Sequence, residues 1–334
     1  MGRRAVPPFA MMSVMANPSQ LTPLGNGLLL WAPVHHGRWG LANCVVIASG
    51  RQAVLVDTPY TAELARSLQE ALRRLAPAAS IGTVINTHAN GDHCYTNGLH
   101  PGAEIISTRA GLEHACLEPT PAQMQKLVHH SDRSTPLGWY LHEHFGQFDW
   151  SGLERTPPTR TFDGRLSLRV GEIPVELIEV GPAHTAGDLI VHLPQQRTVC
   201  AGDVVFIGDH PVHWAGPLIQ IIDACQTIRN LAPETIIPGH GPVIGLDELD
   251  DYIAYLEYLR EQIHTLHAAG MSADAAAAEL LRANRYPHLG LPERLVVVTA
   301  VEYRHLTGDT NPPNLPALVA GAARHAYSMR ADNS

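Results

Sequence analysis

Lysine is almost missing from this 334-residue chain: Lys126 is the only one, and the formal net charge is −9. A surface without basic clusters offers little to a phosphate backbone, so nucleic acid is not an expected partner. No apolar run approaches the roughly 20 residues of a membrane-spanning helix, and no membrane role is expected. The five cysteines, Cys44, Cys94, Cys116, Cys200 and Cys225, lack metal-finger or redox spacing. A disulfide framework is therefore not expected, and a reducing cytoplasm is the expected location. The chain also has no Gly-x-Ser-x-Gly elbow, no Gly-x-x-x-x-Gly-Lys loop and no dinucleotide fingerprint. Serine-hydrolase, nucleotide and nicotinamide chemistry are left without support.

What is present is the composition of a soluble globule, 45% hydrophobic and 16% charged, long enough for one layered α/β core with added helices. Residues 1–20 carry Arg3 and Arg4, but Pro7, Pro8 and Ser13 break their apolar stretch, which predicts a disordered leader rather than a signal peptide. Short β-branched runs at 44–47, 54–57, 83–86, 166–170, 175–180, 189–193 and 198–204 read as strands of two sheets. A helix is predicted over 61–75, where Leu64, Leu68 and Leu72 share one face. Residues 21–245 are read as the catalytic domain. Within it, 109–160 form a proline-punctuated, aromatic helical insertion whose Trp139 and Tyr140 are candidates for a lid or substrate wall. Residues 246–326 read as C-terminal helices, the first capped by Asp247, and 327–334 as a mobile tail. Those helices could pack on their own core or make a homodimer.

With 20 histidines, a single one says little and arrangement says more. The run Thr87-His88-Ala89-Asn90-Gly91-Asp92-His93 follows a strand and gathers His88, Asp92 and His93 within six residues. Imidazole and carboxylate are the usual ligands of zinc-class cations in hydrolytic sites, and so compact a group rarely serves packing. Three further strand ends lead to metal-competent side chains: His184 after Gly181-Pro182-Ala183, Asp203 after Gly202, and His240 after Pro238-Gly239. Glycines there allow tight turns and a close approach to a cation. Four loops at one sheet edge could converge on a dinuclear centre.

These residues resemble the metallo-β-lactamase superfamily, whose signature is a His-x-His-x-Asp-His loop followed by a lone His, a bridging Asp and a last His. The resemblance spans roughly residues 26–243. It implies a four-layer αββα sandwich of two mixed β-sheets, here with a helical insertion and extra C-terminal helices. It also implies one metal at the positions of His88, Asn90 and His184, another at those of Asp92, His93 and His240, and Asp203 as the bridge. Asp57 matches a family position that braces the metal loop by hydrogen bonding.

Asn90 departs from the pattern, standing where a second histidine is expected. Its amide oxygen is a neutral, harder donor, so the first site should hold zinc less tightly and tolerate manganese or iron better. Three arrangements follow: two metals with Asn90 as a weak ligand, two metals with water in its place, or one metal at the second site. The presence of His88, His184 and Asp203 favours a retained first site.

An aspartate at 203 resembles the glyoxalase-like, lactonase-like and sulfatase-like branches rather than the enzymes that cleave β-lactams. The expected activity is hydrolysis of an ester, thioester or lactone by metal-activated water, with Asp92 orienting the nucleophile or accepting its proton. Zn2+, one or two ions, is the expected cofactor, with Mn2+ or Fe as alternatives. Competing readings are an iron- or manganese-dependent oxidoreductase and a non-catalytic metal-binding relative. The substrate is expected to be a small acyl or aromatic molecule, touched by Trp139, Tyr140, His213 and Trp214. His210 is expected at the rim, and Cys94 as a structural thiol.

Overall fold

Residues 21–33, 37–311 and 313–332 are described by the structure, a computed structural model. The expected leader, 1–20, lies outside them. The β-branched runs build two sheets. The first runs in chain order through β1 (Leu21–Gly25), β2 (Leu28–Trp31), β3 (Cys44–Ser49), β4 (Gln52–Val56), β5 (Ser80–Ile85), β6 (Glu104–Thr108) and β7 (Arg160–Phe162). Its pairing is antiparallel up to β4 and parallel beyond. The second comprises β8 (Arg165–Val170), β9 (Ile173–Glu179), β10 (Leu189–Leu193), β11 (Thr198–Phe206) and β12 (Thr235–His240), with β12 parallel to β11 at one edge.

The helices are α1 (Ala62–Leu75), α2 (Gly91–Cys94), α3 (Arg109–Ala115), α4 (Pro121–His130), α5 (Pro136–Phe145), α6 (Leu218–Asn230), α7 (Leu246–Ala268), α8 (Ala273–Ala283), α9 (Arg294–Leu306) and α10 (Leu315–Asp332). Strand period decides the layering, since successive side chains point to opposite faces. Val45 and Ile47 face the second sheet and meet Leu177, Leu189 and Val191. Cys44 and Val46 face outward onto Leu68, Ala71 and Leu72 of α1. The outer face of the second sheet, with Ile190, Val199 and Val205, is covered by α6, α7 and α9. The result is the αββα sandwich of two mixed sheets that the sequence led us to expect.

Several boundaries differ from expectation. The run 198–204, which holds Asp203, continues to Phe206 as β11 past a register break at Gly202, and His240 lies inside β12 rather than on a loop after it. Helix α7 is capped by Gly245, whose N–H donates to Glu248 at 2.9 Å, and Asp247 sits in its first turn. Residues 327–332, read as a mobile tail, are helical: α10 packs on α5 and α9, and Tyr327 stands edge-on to Trp139 at 5.5 Å. No helix among the described residues is long and apolar enough to cross a membrane.

Candidate metal centre

Asp57, at the end of β4, anchors the site. It adopts φ 58°, a left-handed conformation that aspartate tolerates better than most residues. Its carboxylate accepts from the Thr87 N–H at 2.7 Å, the Thr87 hydroxyl at 2.8 Å and His93 Nδ1 at 2.9 Å. The Thr87 hydroxyl has one proton and gives it to Asp57, so its lone pair is what faces His88 Nδ1 at 3.0 Å. His88 must donate there. His184 Nδ1 faces the Val212 carbonyl at 2.6 Å and must donate too. Each of the three rings is thus held with Nδ1 as donor and Nε2 turned to the centre, an orientation that leaves the Nε2 lone pair for a metal.

Asp203 stands between the Nε2 atoms. Its Oδ2 is 3.9 Å from His88, 3.5 Å from His184 and 3.4 Å from His240, and its Oδ1 is 3.2 Å from His93. Asp92 lies 3.4 Å from His240 and 3.8 Å from His93. Two ligand sets result: His88, His184 and Asp203, and Asp92, His93 and His240. Within each set the ligand atoms lie within 4.8 Å of one another. Two glycines make room for this. Gly202 has φ +53° and packs against Thr87, and a Cβ on Gly239 would stand 1.9 Å from Asp203 Oδ1.

The donor set fits divalent cations. His88 Nε2, His93 Nε2 and Asp203 Oδ1 are buried without a hydrogen-bond partner. Each such atom costs about 1–3 kcal/mol in isolation. One cation in each ligand set would satisfy them, His88 Nε2 in the first and His93 Nε2 in the second, with Asp203 beside both.

The electrostatics agree. Burial disfavours the Asp203 charge, but His240, His93 and His88 outweigh it and hold the carboxyl well below its usual range. Burial lowers the pKa of His240, yet Asp203 and Asp92 raise it to about 9. His184 is lowered to about 4 by burial, Asp203 notwithstanding. His88 is held neutral by burial and then by His93.

A sequence profile of the metallo-beta-lactamase superfamily matches residues 37–240, more than half of the chain. The chain belongs to the metallo-beta-lactamase superfamily. It is 26% identical over 206 residues to the 2,4-dinitroanisole O-demethylase subunit alpha of Nocardioides sp. (strain JS1661), covering 60% of this chain and 53% of that protein. It is 23% identical over 217 residues to the beta-lactamase-like protein 2 homolog of Caenorhabditis elegans, covering 64% of this chain and 61% of that protein. The match thus spans somewhat over half the length of these curated relatives. Among solved structures, the inverting sec-alkylsulfatase of Pseudomonas sp. shares the fold with a TM-score of 0.64 and 18% identity, over 89% of this chain and 52% of that one.

Around this metallo-beta-lactamase centre, other residues depart from expectation. The Tyr140 hydroxyl is taken up in the interior, accepting from Trp39 Nε1 and donating to Glu293, each at 2.9 Å. Trp139 packs on Tyr327 and Arg330 of α10. Tyr140 is thereby removed from any substrate wall, while Trp139 stays half-buried against α10. His210, expected at the rim, is buried and bonded to the Tyr255 hydroxyl at 2.6 Å. Trp214 is buried with its ring 6.2 Å from Trp39, and His213 lies 6.1 Å from His184, ring to ring. Cys94 donates to the Ala89 carbonyl, and burial pushes its thiol up, as suits a structural thiol. Sequence reasoning missed Phe206, stacked parallel to His240 at 5.5 Å, and Arg294, buried against Phe206 and Trp39. The signal for Arg294 was a Glu293-Arg294 pair opening an otherwise apolar run, Leu295-Val296-Val297-Val298.

Proposed function

We propose that this chain is a metal-dependent hydrolase that cleaves an ester, thioester or lactone, with a dinuclear centre whose first site includes Asn90. The observation that carries the reading is that His88 Nε2, His93 Nε2 and Asp203 Oδ1 are buried without hydrogen-bond partners within the two ligand sets. His88, Asn90, His184 and Asp203 would hold one ion, and Asp92, His93, His240 and Asp203 the other, zinc being favoured by the imidazole-rich donors. When bound, such ions lower the pKa of water toward about 7 and polarise a carbonyl.

Asp92 does the proton work. Its side chain is 18% exposed, against 5% for Asp203, which places it where the centre meets solvent. Burial opposes its charge, but His93 and His240 keep it ionised. It can therefore orient an attacking water and accept its proton. Asp57 and Thr87 fix the imidazoles, and Phe206 fixes the plane of His240.

A small acyl or aromatic substrate fits this reading, since Trp39, Phe206 and Trp214 cluster beside the ligands. A cytoplasmic setting and the absence of nucleic-acid partners belong to the same reading.

The test is elemental analysis of the gently purified chain, together with a hydrolysis panel of esters, thioesters and lactones that also includes 2,4-dinitroanisole. Hydrolysis that is lost in both His184→Ala and His240→Ala supports the proposal. A fully metallated, folded protein that is silent on the panel refutes it. A second reading has a specific observation in its favour: Asn90 Oδ1 turns into the first ligand set, 2.7 Å from His184 Nε2. A hard oxygen donor there favours iron or manganese and redox chemistry. Iron content with oxygen-dependent turnover would select it.

A further inference from the structure

Arg294, the first residue of α9, is 2% exposed. Its Nη1 donates to the His210 carbonyl at 3.1 Å, and its Nε has no acceptor. Among the described residues no carboxylate forms an ion pair with it. Neighbouring carboxylates are engaged elsewhere: Glu293 accepts from the Tyr140 hydroxyl, and Asp209 accepts from the Gly37 N–H at 3.0 Å. Burial lowers the pKa of the guanidinium, and Asp203 is near enough to oppose that effect. A buried charge is costly unless it is paired.

Its cation lies 4.1 Å from the Trp39 ring centroid and 5.4 Å from that of Phe206. Phe206 also touches the metal ligands, at 5.7 Å from His184 and 5.5 Å from His240. On its third side, 6.0 Å away, lies His213, which is 1% exposed and has no partner on either ring nitrogen. Two fully buried polar side chains with unused hydrogen-bonding groups thus pack on Phe206, the ring that also lies against His184 and His240. A structural arginine would also give its buried Nε an acceptor, which Arg294 lacks, and a structural histidine would bond at least once.

We propose that Arg294 and His213 form an anion subsite beside the metal centre that holds a carboxylate of the substrate; this rests on the hydrolase reading above. The guanidinium supplies a charge-assisted hydrogen bond through its free Nε, His213 adds one through a ring nitrogen, and Trp39 covers the guanidinium. The substrate would then be an acyl compound carrying a carboxylate a short distance from the scissile bond.

The test uses the zinc-loaded full chain with two esters that share a leaving group, 4-nitrophenyl acetate and 4-nitrophenyl hydrogen succinate, after subtraction of uncatalysed rates. The expected kcat/KM is at least about tenfold higher for the anionic ester, as one charge-assisted contact supplies. Arg294→Met should erase that ratio and Arg294→Lys retain part of it.

A second arm needs no turnover: succinate is titrated into the chelator-treated chain while tryptophan fluorescence is followed. A saturable change is expected that disappears in Trp39→Phe, the ring above the guanidinium. Hydrolysis of neither ester nor of any compound in the panel, with the succinate response intact, defeats the hydrolase reading and leaves the subsite standing. Equal turnover of both esters by the wild type, with no succinate response, overturns the subsite and leaves the hydrolase reading standing. Both decisive outcomes are read on the wild type, so a variant that fails to fold does not remove the test.

Discussion

The Asn90 amide oxygen lies 2.7 Å from His184 Nε2. The residue that replaces the family's second histidine therefore points into the first ligand set. His184 gives its Nδ1 proton to the Val212 carbonyl, so Nε2 of the neutral ring carries a lone pair. An amide facing that lone pair either presents its NH2 group or shares a cation with it. Asn90→His replaces a weak neutral oxygen with an imidazole, and zinc in the first set should be held at least about tenfold more tightly. The wild type should yield one equivalent to a graded chelator well before the other, and the variant should not. Stepwise dialysis with elemental analysis reads the difference, and identical release curves would contradict it.

Asp57 touches no proposed ligand position directly except through His93, yet it fixes three donors at once. In Asp57→Asn the amide can replace only part of that pattern, and His93 loses the carboxylate that sets its tautomer. Zinc affinity is expected to fall about 10–100-fold, the usual scale for such supporting contacts. Competition with a fluorescent chelator measures this. Unchanged affinity in a folded variant would show that Thr87 alone orients the loop.

Ligand types and strand runs were legible in the sequence because both are local. Cys44 to Ile47 alternates between two apolar environments, and the grouping of His88, Asp92 and His93 survives any reasonable packing. What was not legible depends on contacts between distant segments. His240 looked like a loop residue because Pro238-Gly239 resembles a strand terminator, whereas β12 runs through both beside β11. Tyr140 looked like part of a substrate wall because nothing local says that Trp39 and Glu293 take up its hydroxyl. Arg294, 54 residues beyond His240, carries no motif; only the fold brings it beside Phe206.

The chelator-treated protein should be most stable near pH 6.5. His100, His144, His184 and His210 are each lowered to about 4, with burial the first cause in every case. Their unfolded pKa is higher, so the stability they contribute is fully present above about 6.5 and is lost as pH falls toward 4. Asp188, raised to about 7 by burial, offsets one of the four, since its contribution is lost as pH rises. His240 works on the alkaline side. Raised to about 9, it contributes stability below about 6.5 that disappears as pH climbs through 9. Each uncompensated histidine adds a slope of about 1.4 kcal/mol per pH unit inside its window. Urea midpoints at pH 4.5, 6.5 and 8.5 give the profile. Zinc should abolish the alkaline limb, because a ligating His240 is already deprotonated. A profile that rises steadily to pH 9 without metal would contradict the assignment.

Asp92→Asn keeps the shape of the side chain and removes its charge. Loss of acid–base assistance predicts a fall in kcat of at least about a hundredfold on any substrate the panel identifies. The zinc content of each preparation must be matched first, since Asp92 also faces His93 and His240. Near-normal kcat in a fully metallated variant would remove Asp92 from the proton-handling role.

Gly239→Ala is the sharpest steric probe of the centre, because it adds one methyl group and no chemistry. The new Cβ would meet Asp203 Oδ1 at 1.9 Å and the Gly202–Asp203 backbone at 2.8–2.9 Å. Neither neighbour can retreat easily. Asp203 is buried among four histidine Nε2 atoms, and Gly202 already holds φ +53° with Thr87 packed against it. Overpacking of this kind typically costs about 1–3 kcal/mol, and here the strain falls on the carboxylate that the proposed centre shares between its two ions. The expected result is a modest drop in melting temperature with loss of both metal equivalents together, rather than of the weaker one alone. Elemental analysis beside a thermal melt distinguishes this from simple destabilisation, in which a folded fraction would keep its metals. Retention of two equivalents at unchanged affinity would mean that Asp203 does not link the two sets.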